Sequence, residues 1–140
     1  MAGIYSRDAM TIINPSTLAS PRGYSHGVIG EGRVLFVAGQ IGWNEKSEIV
    51  SEDFADQFDQ ALANVLAVIR EAGGSPEMVA RLTVYVVDKR EYLAARRTIG
   101  DKYRARVGRH FPAMTLVEVK SLLEEAARVE IEATAIIPNA

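Results

Sequence analysis

The sequence has no cysteine in its 140 residues. Disulfides, thiolate metal sites and a cysteine nucleophile are thereby excluded, and such a chain suits a reducing compartment. The opening residues, MAGIYSRDAM, lack a basic stretch followed by an apolar core, so no signal peptide is read there. The expected location is cytoplasmic. No apolar run approaches the roughly 20 residues that a membrane helix needs, so no membrane association is expected. An excess of positive charge is missing too: 16 Lys and Arg stand against 18 Asp and Glu, a net charge of −2. A dedicated nucleic-acid binder carries a basic surplus, and no nucleic-acid partner is expected. The familiar catalytic signatures are absent: no P-loop, no GxGxxG, no HExxH and no G-x-S-x-G. The two histidines, His26 and His110, stand apart from each other and from any paired ligand.

What is present is the pattern of one α+β domain over residues 1–140, with 1–10 irregular. The length suits a single core. Thr11-Ile12-Ile13 reads as a short strand stopped by Asn14-Pro15. Tyr24–Ile29 and Arg33–Ala38 flank Gly30-Glu31-Gly32, which predicts a β-hairpin. Gly39 and Gly42 then suggest tight backbone geometry or close approach by another group. Ser51 is placed to cap a helix in which Phe54, Phe58, Ala61, Leu62, Val65, Ile69 and Ala72 recur at steps of three and four. Gly73-Gly74 ends it. Arg81–Val87 is a β-branched strand. Asp88, with Glu91 three residues on, predicts a capping box for a second helix that Gly108 ends. Met114–Val119 and Arg128–Ile137 are the last strands, giving the order β-ββ-α-β-α-β-β. Two helices on one face of a sheet leave the other face to be covered, commonly by oligomerisation.

Glu130 and Glu132 alternate with Val129, Ile131 and Ala133 and lie on that open face, with Glu118 in the preceding strand. A carboxylate on the inner side of an interior strand pairs, binds water, or shifts toward general acid–base use. The cluster Arg96, Arg97, Lys102, Arg104, Arg106, Arg109 and His110 reads as a solvated helix face with acidic partners elsewhere. Composition and spacing alone name no reaction.

A set of segments adds to this: Asn14-Pro15, Gly23-Tyr24-Ser25-His26-Gly27, Leu35-Phe36-Val37-Ala38-Gly39-Gln40-Ile41, Gln57-x-x-x-Ala61-Leu62-x-Asn64-Val65, Glu71-Ala72-Gly73, Val84-Tyr85-Val86-x-Asp88, Phe111-Pro112-Ala113, Val117-Glu118-Val119 and Val129-Glu130-Ile131-Glu132-Ala133. In that order, over about residues 12–138, they closely resemble the Rid (reactive intermediate deaminase) family, also labelled endoribonuclease L-PSP. The resemblance implies a chorismate-mutase-like fold and a homotrimer with a central β-barrel. It implies inter-subunit clefts that hydrolyse reactive imines and enamines to keto compounds and ammonia, without a metal or organic cofactor. By the same resemblance Glu130 is the water-positioning carboxylate and Tyr24 the pocket aromatic. Ala38 stands beside Gly39 where many members have a small hydroxyl residue. The backbone from Met114 through Thr115 and Leu116 lies along the ligand.

One position departs from the family. Where the resemblance expects an arginine after Phe-Pro-Ala to grip the substrate carboxylate, this chain has Met114. A flexible thioether carries no charge. Charged hydrogen bonds contribute ~1.5–3 kcal/mol, so the loss weakens a small 2-imino acid by roughly ten- to a hundredfold. The pocket is expected to be less basic and more apolar, with Arg96 or Arg22 as candidate replacement cations. Three readings stay open: an imine or enamine deaminase, a non-catalytic small-molecule binder or chaperone-like trimer, and an endoribonuclease.

Overall fold

A computed structural model describes residues 10–139. Two sheets are formed. The strands β1 (Met10–Ile13) and β2 (Gly27–Gly30) pair antiparallel as a small ribbon, Met10 opposite Gly30 and Ile13 opposite Gly27. The main sheet holds β3 (Arg33–Ile41), β4 (Val79–Val86), β5 (Ala113–Glu118) and β6 (Val129–Ile137) in the order β3-β6-β4-β5. β6 runs antiparallel to both neighbours, and β4 and β5 are parallel. A parallel pair needs a crossover, which α2 (Lys89–Val107) supplies; α1 (Phe54–Glu71) links β3 to β4 through a 3-10 turn at Pro76–Met78.

The helices lie on one face of the main sheet, as the alternation predicts. Val129, Ile131, Ala133, Ala135 and Ile137 of β6 and Leu82, Val84 and Val86 of β4 are buried against α1's stripe of Phe58, Ala61, Leu62, Val65 and Ile69. Gln57, wholly buried in that stripe, donates to the carbonyls of Ser51 and Ala126 and accepts from the Arg128 amide. This ties the start of β6 to the start of α1.

Several expectations are corrected. The hairpin does not form: β2 pairs with β1, and the ladder of β3 goes to β6. Asn14 accepts from the His26 amide and the His26 ring meets the Ala19 carbonyl, folding residues 14–26 back so that β2 returns alongside β1. Gly32 at φ 146° turns the chain instead against the end of β6, where an added Cβ would sit 2.4 Å from the Ile137 carbonyl oxygen. The cap of α1 is Asp53, which accepts from the Asp56 amide, while Ser51 accepts from the Asp53 amide one step earlier. Asp88 caps α2 as expected, accepting from the Arg90 amide, but Glu91 makes no capping box. Its carboxylate is taken by the guanidinium of Arg128. Residues 1–9 of the segment read as irregular lie outside the described residues, and Met10 already belongs to β1.

The basic stretch behaves largely as read. Lys102 lies near Asp56, Arg104 pairs with Asp101, and Arg106 pairs with Asp59. The sheet face away from the helices carries Phe36 at 80% exposure, Val34 at 55% and Val117 at 39%. Leu116, next to Val117 in β5, packs against the core on the helix side.

Candidate functional site

The residues singled out from the sequence fall into two groups at the two ends of the main sheet. The first group sits where β3 meets β6. Val37 faces Ala133 and Gln40 faces Ile131, so Ala38 and Gly39 form a β-bulge with one residue more than the partner strand. Bulges re-aim side chains and locally break a ladder. Here the bulge opens room for the Glu130 side chain. A Cβ on Gly39 would lie 2.1 Å from Glu130 Oε2 and 2.8 Å from its Cδ, so only glycine leaves the carboxylate where it is. The close approach expected at Gly39 is thus made by Glu130.

The two glutamates of β6 are in different states although they share a face. Glu132 Oε1 accepts from the Tyr85 hydroxyl at 2.6 Å. That bond, with the surrounding negative charge, pushes the Tyr85 phenol up. Among the described residues Glu130 has no hydrogen-bond or ion-pair partner, and it is half-buried. A carboxylate that is shielded, unpaired and set beside an open backbone is available to a water or a ligand.

The second group lies at β5, the opposite edge strand. Met114 and Leu116 point to the helix side and pack against the core. Between them and α2 is a cavity of about 190 Å³, walled by Met114, Leu116, Val84, Tyr103 and Phe111, with Arg96 among its lining. Gly23 reaches the same cavity, because Ser25 bridges to Ala113 and its amide donates to the Pro112 carbonyl. Tyr24, between Gly23 and Ser25, packs edge-on against His26, with ring centroids 5.4 Å apart. Thr115 is exposed; strand alternation turns it to the other face. Arg22 is exposed and is not among the cavity's lining, so of the two candidate cations only Arg96 joins Met114. Tyr103, Phe111 and Val84 were not singled out beforehand, since each reads as an ordinary core residue. Gly100, which also lines the cavity, is the one sequence signal for it: a glycine within an apolar helical stripe.

One chain does not bring the two groups together. Glu130 and Met114 lie on opposite faces of the sheet and on strands separated by β4.

A family model described as Endoribonuclease L-PSP matches residues 15–137. A solved structure from Yersinia pestis, of a conserved Rid-family protein of unknown function, superposes with a TM-score of 0.80 at 37% identity, over 91% of this chain and 98% of that one. The chain belongs to the Rid family. Its Rid relatives include a RutC family protein of Pyrococcus horikoshii, 34% identical over 89% of this chain and 95% of that protein. They also include the human 2-iminobutanoate/2-iminopropanoate deaminase, 32% identical over 81% of this chain and 79% of that enzyme. A further Rid structure, Escherichia coli TdcF with bound serine, has a TM-score of 0.64 at 30% identity, over 85% and 90% of the two chains. The mixed sheet with two helices on one face is the fold of these Rid proteins. No helix among the described residues is long and apolar enough to cross a membrane. Among the same residues no group of three His, Asp or Glu is placed to hold a metal ion.

Proposed function

We propose that this Rid protein hydrolyses a small reactive imine or enamine in clefts between the copies of a homotrimer. The observation that carries the proposal is the unpaired Glu130 carboxylate beside the Gly39 bulge. Relatives named as 2-iminobutanoate/2-iminopropanoate deaminases at 32–34% identity support the reaction class. Glu130 would accept a proton from water as its oxygen bonds to the imine carbon. The carbinolamine formed in this way from the protonated imine takes that proton back on nitrogen, the C–N bond breaks with its electron pair leaving on ammonia, and the hydroxyl proton passes to Glu130 as the keto C=O forms. Positioned general bases contribute about 10²–10⁴-fold, and no step requires a metal or organic cofactor.

The positions of the two groups support a ring of copies. Glu130 with Gly39 stands at the β3 end of the sheet, and Met114 with Leu116 at the β5 end. Contacts between unlike ends, repeated head to tail, close a ring, and each junction then joins one copy's Glu130 to the next copy's cavity. A ring also covers Phe36, Val34 and Val117, whose exposure is costly in a lone chain.

Met114 favours a second reading, a trimer that binds small molecules without turnover. An RNA-directed role has little support: the exposed Phe36 has Glu132 and Tyr85 beside it rather than a basic stripe.

The test is the hydrolysis of imines generated in situ by an amino-acid oxidase. Parent protein should speed keto-acid release, and Glu130→Gln should lower kcat/KM by about a hundredfold or more. Failure of the parent to exceed the buffer rate with any imine would favour the binding reading. A Met114→Arg variant that gains activity on the imines of alanine or serine would show an intact scaffold whose own ligand is different.

A further inference from the structure

Two features of the β5 cavity are not explained by the reaction alone. Its wall is apolar and deep enough for more than a methyl group: about 190 Å³, where an apolar cavity of about 150 Å³ suffices for benzene. Arg96, an exposed residue of α2, lines the same cavity and has no hydrogen-bond or ion-pair partner among the described residues. Its neighbour Arg104, also in the lining, is held by Asp101 at 2.6 Å. On the same helix Lys102, Arg104 and Arg106 each have an acidic partner, whereas Arg96 and Arg97 have none among the described residues, and of these two Arg96 lines the cavity.

Gly100 lies one helical turn beyond Arg96 and lines the cavity between Arg96 and Arg104. Glycine within a helix costs about 1 kcal/mol relative to alanine. Here an added Cβ would lie 3.3 Å from Arg104 Nη1, so the bare backbone makes room for that guanidinium in the cavity wall.

We infer that the cavity is a side-chain pocket and that Arg96 is the anion anchor at its mouth. The ligand class is then a 2-imino acid, or its 2-keto product, with a branched or aromatic side chain. The carboxylate meets Arg96, and the apolar group lies on Met114, Leu116 and Phe111. In this arrangement Met114 is a contact surface for the side chain. This assignment rests on the deaminase reading for the reacting carbon, which sits beside the carboxylate at the mouth, where a neighbouring copy's Glu130 would arrive.

The experiment is equilibrium binding by calorimetry of three probes to the full-length protein: phenylpyruvate, pyruvate and the uncharged phenylacetone. Phenylpyruvate should bind at least tenfold more tightly than pyruvate. Arg96→Ala should weaken phenylpyruvate by about ten- to a hundredfold, the range of a charged hydrogen-bonded contact, and leave phenylacetone within about twofold. Arg96→Lys should recover part of the loss. Gly100→Leu should weaken both aromatic probes by about tenfold or more and leave pyruvate unchanged. Phenylpyruvate binding no more tightly than pyruvate would overturn the pocket, and an unchanged phenylpyruvate affinity in Arg96→Ala would overturn the anchor. The hydrolysis assay separates this from the reaction. Selective binding without turnover of any imine keeps the pocket and removes the deaminase; turnover without selectivity does the reverse.

Discussion

The two ends of the main sheet solve opposite electrostatic problems. At the β3–β6 end a carboxylate, Glu130, has no hydrogen-bond partner among the described residues and stands beside a backbone bulge. At the β5 end an arginine, Arg96, is unpaired among the same residues and lines a largely apolar cavity. Several other ionic groups are engaged: Glu132 by Tyr85, Glu91 by Arg128, Asp59 by Arg106. No buried side-chain nitrogen or oxygen among the described residues lacks a partner. The proposed site takes one acid from the first end and one base from the second, each beside the feature that would receive a ligand: the bulge at Gly39 and the cavity at Met114.

The largest effect should come from separating the two glutamates of β6. Glu130→Gln should reduce imine hydrolysis by about 10²–10⁴-fold. Glu132→Gln keeps a hydrogen-bond acceptor for Tyr85 at this half-buried position and should change kcat/KM by no more than about threefold. Equal losses in the two variants would show that the carboxylates work as a pair and that the difference made by Tyr85 has no bearing on the reaction.

Mixing experiments test the division itself. Glu130→Gln spoils one end and Gly100→Leu the other, so with the imine of phenylalanine held below saturation the first alone should lose about 10²–10⁴-fold and the second about tenfold or more. Reassembled one to one, about a quarter of the clefts in randomly mixed rings join an intact Glu130 to an intact cavity. Activity should return to about that fraction. No recovery, in rings shown by light scattering to be mixed, would place the whole site within one chain or in a different pairing of ends.

Gly39→Ala should act more mildly than losing the carboxylate. The added methyl occupies the place of Glu130 Oε2, and the flexible glutamate side chain can swing aside. Misplacing a catalytic group by about 1 Å costs up to about a hundredfold, so kcat should fall by roughly ten- to a hundredfold. The melting temperature should move by only a few degrees. A stable variant with unchanged kcat would show that Glu130 reaches its working position by another route.

How much of this was legible beforehand differs between the two ends. The stripe of α1, the alternation of β6 and the terminator at Gly108 were readable because period and breaker residues report local backbone directly. The partner of β2 was not, because alternation identifies a strand without saying which neighbour receives its hydrogen bonds. Glu130 and Glu132 share one face and one motif; what distinguishes them is Tyr85, brought alongside by the antiparallel register of β4 and β6. Glu130 was named through family resemblance, and Arg96 likewise. The cavity was hidden for another reason. It is the gap left where α2 covers β5 incompletely, and residues such as Tyr103 and Val84 look the same in sequence whether they fill space or border it.

The smallest effect concerns how α2 is held over that cavity. Asp59 of α1 accepts from Arg106 Nε at 2.6 Å and Nη2 at 3.0 Å. The hydrogen-bonded guanidinium holds the Asp59 carboxyl below the usual carboxylate range, against the opposing effect of partial burial. A folded-state value lower than the unfolded one gives stability that is fully present above the unfolded value, near pH 4, and is lost as pH falls through the folded value. Asp59→Asn should therefore cost about 1 kcal/mol at pH 7 for this partly exposed pair, a few degrees in melting temperature. The difference from the parent should shrink as pH falls below about 4 and reach its minimum below the lowered folded-state value, where the parent's carboxyl is also neutral. Because α2 carries Arg96 and Gly100, the same variant should loosen phenylpyruvate binding by no more than about threefold and leave the Glu130 end untouched. An equal stability loss at pH 7 and pH 3 would assign the contribution of Asp59 to packing between the helices rather than to its charge.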